Sequence, residues 1–167
     1  MSINQLMLMQ AVTNKNIYLQ VVHDTTLDDW IKERHYLKSA PLGALIKMCF
    51  KDSRHNIKGC MMWGNPTARK IDQNNVLELY RMCFTDDTEQ FIESKCLAMA
   101  RKHIRKHYPH VKGLIAYSSS GAGHEGTIYK ADNWYVLGET KLASWQTRGG
   151  GRTDKDKSKK KRWTRSP

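Results

Sequence analysis

The sequence predicts an α/β protein built on one mixed β-sheet with helices on its faces. Short apolar runs, some alternating in polarity, recur along the chain and read as strands. One long stretch with helical spacing separates two of those runs and so reads as a crossover between them. A length of 167 residues, with 40% hydrophobic and 26% charged residues, suits one domain with one core.

The elements follow in order. Asn16 to Thr25 contains IYLQVV, an opening strand. Thr26 reads as the N-cap of a short helix, LDDWIKERHYL, with acids in its first turn. Ser39-Ala40-Pro41 ends it. Ala44 to Phe50 and Ile57 to Trp63 read as a hairpin around the polar turn Asp52 to Asn56. Gly64-Asn65-Pro66 closes the second strand, because proline cannot donate to a ladder. Val76 to Phe84 (VLELYRMCF) is the next strand, and strict alternation places Leu77, Leu79 and Arg81 on one face. The long helix is expected from Thr88 to Tyr108, with an apolar stripe of Ile92, Cys96, Met99, Ala100 and Ile104. Basic residues Arg101, Lys102, Arg105 and Lys106 complement the dipole near its end. Val111 to Tyr117 reads as a buried parallel strand. A short helix, Thr127 to Asp132, and a strand, Trp134 to Thr140, follow, with a further strand over Lys141 to Thr147 as an option. Gly149-Gly150-Gly151 reads as a flexible joint. The division expected is a domain over 1–147 and a flexible basic tail over 148–167.

Formal net charge is +12, with a pI near 9.6. Arg148 to Pro167 carries nine basic and two acidic residues, so the excess is concentrated there. Polyanions, nucleic acid first, are the natural partners, with a merely solubilising tail as the alternative. Cys49, Cys60, Cys83 and Cys96 form no C-x-x-C pair and read as small buried hydrophobes. No apolar run is long enough for a membrane span, and no basic-then-apolar leader opens the sequence, so a cytoplasmic protein is the expectation. His103 and His107 have a chelating i, i+4 spacing but no third ligand in the pattern, and no metal site is predicted.

The order of elements resembles the GNAT (N-acetyltransferase-like) fold. The glycine-containing pyrophosphate loop of that fold is missing: the stretch before the long helix reads TDDTEQFIESKC. Local matches go further. GNPTAR, LELYR, ESKCLAMA and above all AYSSSGAGHEGTIYKADNWYVLG resemble the Mom family of bacteriophage-type DNA-modification proteins, over roughly Ile57 to Gly138. The resemblance implies a transferase that converts adenine in double-stranded phage DNA to a methylcarbamoyl derivative in the bacterial host cytoplasm and shields it from restriction. It also implies acetyl-CoA as cofactor.

Arg81 matches the family's central-strand arginine. A guanidinium aimed into a cleft holds a carbonyl, carboxylate or phosphate; otherwise it forms a structural ion pair. Tyr129 matches the tyrosine of I-Y-x-A and suits proton donation to a leaving thiolate, or else it is a core aromatic. His124 sits between glycines in a turn, where a near-neutral imidazole suits a base, a metal ligand or a backbone contact. At Ser119 the family pattern Tyr-Ala-Asp is replaced by Tyr117-Ser118-Ser119. Arg81, Tyr129, His124 and Ser119 are the catalytic candidates; Ser94, in the family's E-S motif, and Tyr117 are the cofactor candidates. His35 and Tyr36 are candidates to line the same cleft. Arg69 and the basic run Lys159, Lys160, Lys161, Arg162 and Trp163 are assigned to DNA; aromatics among lysines suit stacking and phosphate contact, and Trp145 either joins them or closes the core. The alternatives are an N-acetyltransferase for a small amine or protein, and a non-catalytic nucleic-acid-binding protein on the same scaffold.

Overall fold

The computed structural model describes residues 16–120, 125–140 and 158–167. Tyr18–Val22 (β1) leads into a helix, Thr26–Arg34 (α1), then Ile46–Lys51 (β2), Ile57–Gly64 (β3) and Val76–Phe84 (β4). The long helix Ile92–His107 (α2) is followed by Gly113–Ser119 (β5), a short helix Thr127–Ala131 (α3), Tyr135–Glu139 (β6) and Lys160–Arg165 (β7). The seven strands make one sheet in the order β1-β2-β3-β4-β5-β7-β6. β4 and β5 run parallel, joined through α2, and every other neighbouring pair is antiparallel.

Each face of the sheet has its own packing. On one, Ile46, Met48, Met61, Trp63, Leu77, Leu79, Leu114 and Ala116 meet Ile92, Cys96, Leu97, Ala100 and Ile104 of α2. On the other, Cys49, Cys60 and Met62 meet Leu27 and Ile31 of α1. The apolar stripe read from the sequence is the buried face of α2, with Met99 partly buried beside it. α2 starts later than expected, at Ile92. Thr85, Asp87 and Thr88 close a hydrogen-bonded turn, and Phe91 takes a left-handed φ of 69° before the helix begins. α1 begins at Thr26, and the carboxylate of Asp24 accepts the Thr26 N–H at 2.9 Å.

The expected common face of Leu77, Leu79 and Arg81 is corrected by a bulge. Residues opposite one another in a ladder share a face. The β3–β4 ladder pairs Trp63 with Leu79 but Met62 with Arg81, so Tyr80 is an extra residue on β4. Leu77 and Leu79 face α2, whereas Arg81 joins Met62 and Cys83 on the α1 face. The bulged Tyr80 lays its ring over Gly64, where any Cβ would overlap it, and its hydroxyl donates to the carbonyl of Asn65.

A second correction concerns the tail. Lys160–Arg165 is a strand flanked on both sides, by β5 and β6. Trp163 is 1% exposed; its Nε1–H donates to Ser118 Oγ at 2.9 Å, and its ring stacks on Tyr129 at 5.7 Å between centroids. One large buried aromatic and two ladders anchor a segment whose lysines made it read as unfolded. Lys141 to Lys157, including Trp145 and the glycine joint, lies outside the described residues, as does His124.

Arg101, expected only to complement the α2 dipole, makes a two-pronged ion pair with Asp132 just after α3, at 2.7 and 2.8 Å. Asp132 also accepts the Trp134 Nε1–H at 2.8 Å. This fixes α3 against α2.

Candidate active site

The site originates in a divergence. β4 and β5 pair only through Val76–Gly113, Leu77–Leu114 and Glu78–Ile115. Beyond Glu78, β4 stays with β3, while β5 stays with β7. The wedge between them is a cleft of about 450 Å³. Its walls are Leu79–Phe84 of β4, Tyr117–Ser119 of β5, Arg34–Leu37 at the end of α1, Glu93 of α2 and Glu125–Tyr129 around the start of α3. Because the gap passes through the sheet, it is lined from both faces.

Arg81 reaches it from the α1 face. Its Nη1 donates to the Tyr80 carbonyl at 2.8 Å and its Nη2 to Ser39 Oγ at 3.5 Å. Tyr129 reaches it from the α2 face, packed between Trp163 and Trp134, whose ring lies 5.4 Å from its own. Gly126 makes that position: its φ is +80°, and a Cβ there would overlap the Trp163 indole. Burial pushes the Tyr129 phenol well above the ordinary tyrosine range, with Tyr36 adding to the effect.

Tyr117 and Ser119, also in the cleft wall, differ in setting. The Tyr117 phenol is raised by burial first and by the charge of Glu78 second, while Arg162 donates to it and opposes the rise. Ser119 is buried and shares a short hydrogen bond with Ser158 Oγ. His35 and Tyr36 line the cleft, their rings 4.5 Å apart. His35 Nδ1 accepts the Leu37 N–H at 3.2 Å, which assigns the proton of the neutral ring to Nε2.

Other candidates lie elsewhere. Ser94 does not line the cleft; its hydroxyl donates to the Phe91 carbonyl at 3.0 Å. Arg69 is exposed in the β3–β4 loop, away from the cleft wall. Lys159 and Lys161 are exposed, whereas Lys160 and Arg162 are half-buried on the face that carries Tyr117. The core position of Trp163 corrects its assignment to base stacking.

Sequence reasoning missed Glu78, a buried carboxylate behind the cleft. Its Oε2 accepts the N–H and the hydroxyl of Thr67 at 2.7 and 2.9 Å. Burial raises its carboxyl above the ordinary 4.5, against the pull of Thr67, Lys160 and Arg81. A lone glutamate inside the apolar run VLELY was the available signal. Glu93 and Glu125 in the cleft wall were missed too.

The four cysteines are free thiols. Cys49, Cys60 and Cys83 sit side by side across β2, β3 and β4, and Cys83 lines the cleft. The His103 and His107 rings lie 4.3 Å apart, and among the described residues no group of three His, Cys, Asp or Glu side chains could hold a metal ion. No helix among them is long and apolar enough to cross a membrane.

Residues 16–166 match the Mom protein family. The chain belongs to that family. It is 26% identical over 127 residues to the methylcarbamoylase Mom of Escherichia phage Mu, covering 71% of this chain and 52% of the relative. The chain thus spans about half the length of that curated relative. Among solved structures, it resembles spermidine N-acetyltransferase from Vibrio cholerae in complex with CoA and spermine, with a TM-score of 0.64 at 10% identity, covering 92% of this chain and 96% of that one. It also resembles ribosomal-protein-S5-alanine acetyltransferase from Vibrio fischeri, with a TM-score of 0.53 at 11% identity, covering 72% and 61%. The fold of this Mom-family chain is therefore that of the GNAT acetyltransferases.

Proposed function

We propose that this chain is a DNA-modifying transferase that places an acetyl-CoA-derived group on the exocyclic amine of adenine in phage DNA, yielding the methylcarbamoyl base and shielding it from host restriction. Membership of the Mom family supports the substrate, and the GNAT fold supports the donor. The observation that carries the reading is that Arg81 and Tyr129, arriving from opposite faces of the sheet, open onto one cleft.

The cleft suits the acyl arm of the donor. The facing edges of β4 and β5 beyond Glu78 and Ile115 have no ladder between them, so an extended amide chain can add there as a strand would. The turn before α2 does not suit the pyrophosphate, because it carries Asp86, Asp87 and Glu89 and no glycine. When bound, acetyl-CoA supplies an activated acyl group whose transfer leaves a thiolate.

The residues divide the remaining work. Arg81 orients a carbonyl or phosphate oxygen at the α1 side of the gap. Tyr129 holds its proton at the phenolic oxygen well above neutral pH, ready to donate it. An amine losing a proton needs an acceptor. Among the described wall residues the phenols of Tyr80, Tyr117 and Tyr129 and the Cys83 thiol are raised, and His35 is a donor at Nε2. The carboxylates of Glu93 and Glu125 are left for that role. A methylcarbamoyl group has an N–H between methyl and carbonyl that acetyl lacks; inserting it is a two-electron oxidation, so the overall reaction also needs a nitrogen donor and an oxidant, or a nitrogen donor already at the hydroxylamine level. Reaching the amine inside a duplex requires flipping the base out, at a cost of roughly a few kcal/mol.

The same two carboxylates favour a second reading, acylation of a cationic amine. One experiment separates the readings: DNA from cells expressing the protein is digested and its nucleosides are weighed by mass spectrometry. A methylcarbamoyl-adenine nucleoside is expected. Unmodified DNA, together with acetylation of a soluble polyamine by the purified protein, overturns the first reading for the second.

A further inference from the structure

A second hollow lies away from the cleft. It is a groove of about 770 Å³ at the start of β5 and the end of β7, and its walls include Lys112, Lys130, Arg165, Tyr135 and Thr164. Among the described residues, no carboxylate side chain belongs to those walls, in contrast to the active-site cleft with its Glu93 and Glu125. The nearby Asp132 carboxylate is occupied by Arg101 and Trp134 and faces inward at 7% exposure. Arg165 Nη1 is pinned by the carbonyls of Asp132 and Asn133, so its guanidinium sits in a fixed place. Lys112 and Lys130 are exposed, and Tyr135 beside them is 72% exposed.

We infer that this groove binds the sugar–phosphate backbone of duplex DNA, at a site separate from the cleft that takes the base. The inference rests on the DNA-modification reading for its partner and on the groove itself for its place. A pinned guanidinium and exposed ammonium groups, with no carboxylate side chain among the described wall residues, are the composition that releases counterions from a phosphate chain. An exposed aromatic ring beside them packs against sugar. The spacing also fits. β5 runs from the groove at Gly113 to the cleft wall at Tyr117–Ser119, roughly 13–20 Å along the strand. That is about four to six base-pair steps of a duplex at ~3.4 Å each. A flipped base in the cleft thus leaves backbone about half a turn away within reach of the groove.

The test is duplex binding by the full chain, read by fluorescence anisotropy with a mixed-sequence duplex of about two helical turns over a series of salt concentrations. Three proteins are compared: the parent, Lys112→Glu with Lys130→Glu, and a control with the same charge change, Arg54→Glu with Lys95→Glu. The groove variant is expected to bind at least about tenfold more weakly at low salt and to lose about two from the salt slope. Its acetyl-CoA affinity and melting temperature stay at parental values. A control that loses as much as the groove variant overturns the inference, because net charge alone then explains the loss; so does a groove variant with parental affinity, or a parent that binds no duplex. DNA that stays unmodified while duplex binding still depends on Lys112 and Lys130 removes the DNA-modification reading and leaves the groove standing.

Discussion

The cleft and the groove sit toward opposite ends of β5 and are made of different material. The cleft is a fault in the sheet, where β4 leaves β5 and buried aromatic rings fill one wall. The groove is a surface feature, with the exposed Lys112, Lys130 and Tyr135 and the half-buried Arg165 in its walls. The difference teaches where each kind of effect should appear. Groups held in the cleft are desolvated and oriented, so single atoms matter there. Groups at the groove are hydrated and interchangeable, so charge counts and salt matters.

The sharpest way to break that contrast is at Tyr129. Removing one hydroxyl by Tyr129→Phe leaves the ring between Trp134 and Trp163, so the fold should persist. If the phenol donates a proton, turnover should drop by about 10²–10⁴-fold with the melting temperature unchanged. Full activity in Tyr129→Phe would make the tyrosine a packing residue only. Trp163→Ala comes next and acts on stability. Truncating a buried tryptophan costs about 3–5 kcal/mol, and here it also orphans Ser118 and loosens the seat of Tyr129. Calorimetry should show that loss for Trp163→Ala. Lys112→Glu with Lys130→Glu should stay within about 0.5 kcal/mol of the parent per site. A negligible loss at Trp163 would mean that β7 is dispensable to the core.

A smaller effect tests whether the cleft is indeed the site that does not run on charge. The turn before α2 offers acids to the pyrophosphate end of the donor, so most binding should come from the acyl arm. Acetyl-pantetheine should therefore bind within about tenfold of acetyl-CoA, a difference below ~1.4 kcal/mol. Titration calorimetry decides it. A much larger preference for acetyl-CoA would require cations near that turn beyond Lys58, which Asp87 holds in an ion pair at 2.6 Å, and would blur the distinction between cleft and groove.

What the sequence disclosed, and what it did not, follows the same division between local and distant causes. Val76–Phe84 was legible to the residue because apolar composition and flanking turns are local signals. The α2 stripe was legible for the same reason. The bulge at Tyr80 was not, because it exists only in register with Met62 and Trp63, residues of another strand. Its effect was to turn Arg81 to the other face, yet the arginine still reached the cleft because the gap is open to both faces. The strand Lys160–Arg165 was hidden by its lysines. Its pairing partners lie far back in the chain, and one tryptophan among charged residues carries no periodicity. Of the candidate site, Arg81, Ser119, Tyr117 and Tyr129 share one cleft, while Ser94 and Arg69 do not, since a motif match says nothing about which way a helix or loop is turned.

Glu78 gives the subtlest test, because it lies behind the cleft wall and touches neither crevice. Its carboxyl is held above the ordinary 4.5 chiefly by burial, so the folded chain binds its proton more tightly than the unfolded chain does. The sign follows from linkage: this contribution to stability is complete below the unfolded value and is lost as pH rises through the folded one. Gln in place of the acid keeps an oxygen for the Thr67 N–H and hydroxyl but carries no charge to desolvate. Chemical denaturation of Glu78→Gln should therefore show a stability difference from the parent that moves in the variant's favour as pH is raised from about 4 toward neutrality. Movement in the opposite direction would mean that Lys160 and Arg81 stabilise the carboxylate more than burial opposes it, and Glu78 would then belong to the electrostatics of the cleft rather than to its supporting wall.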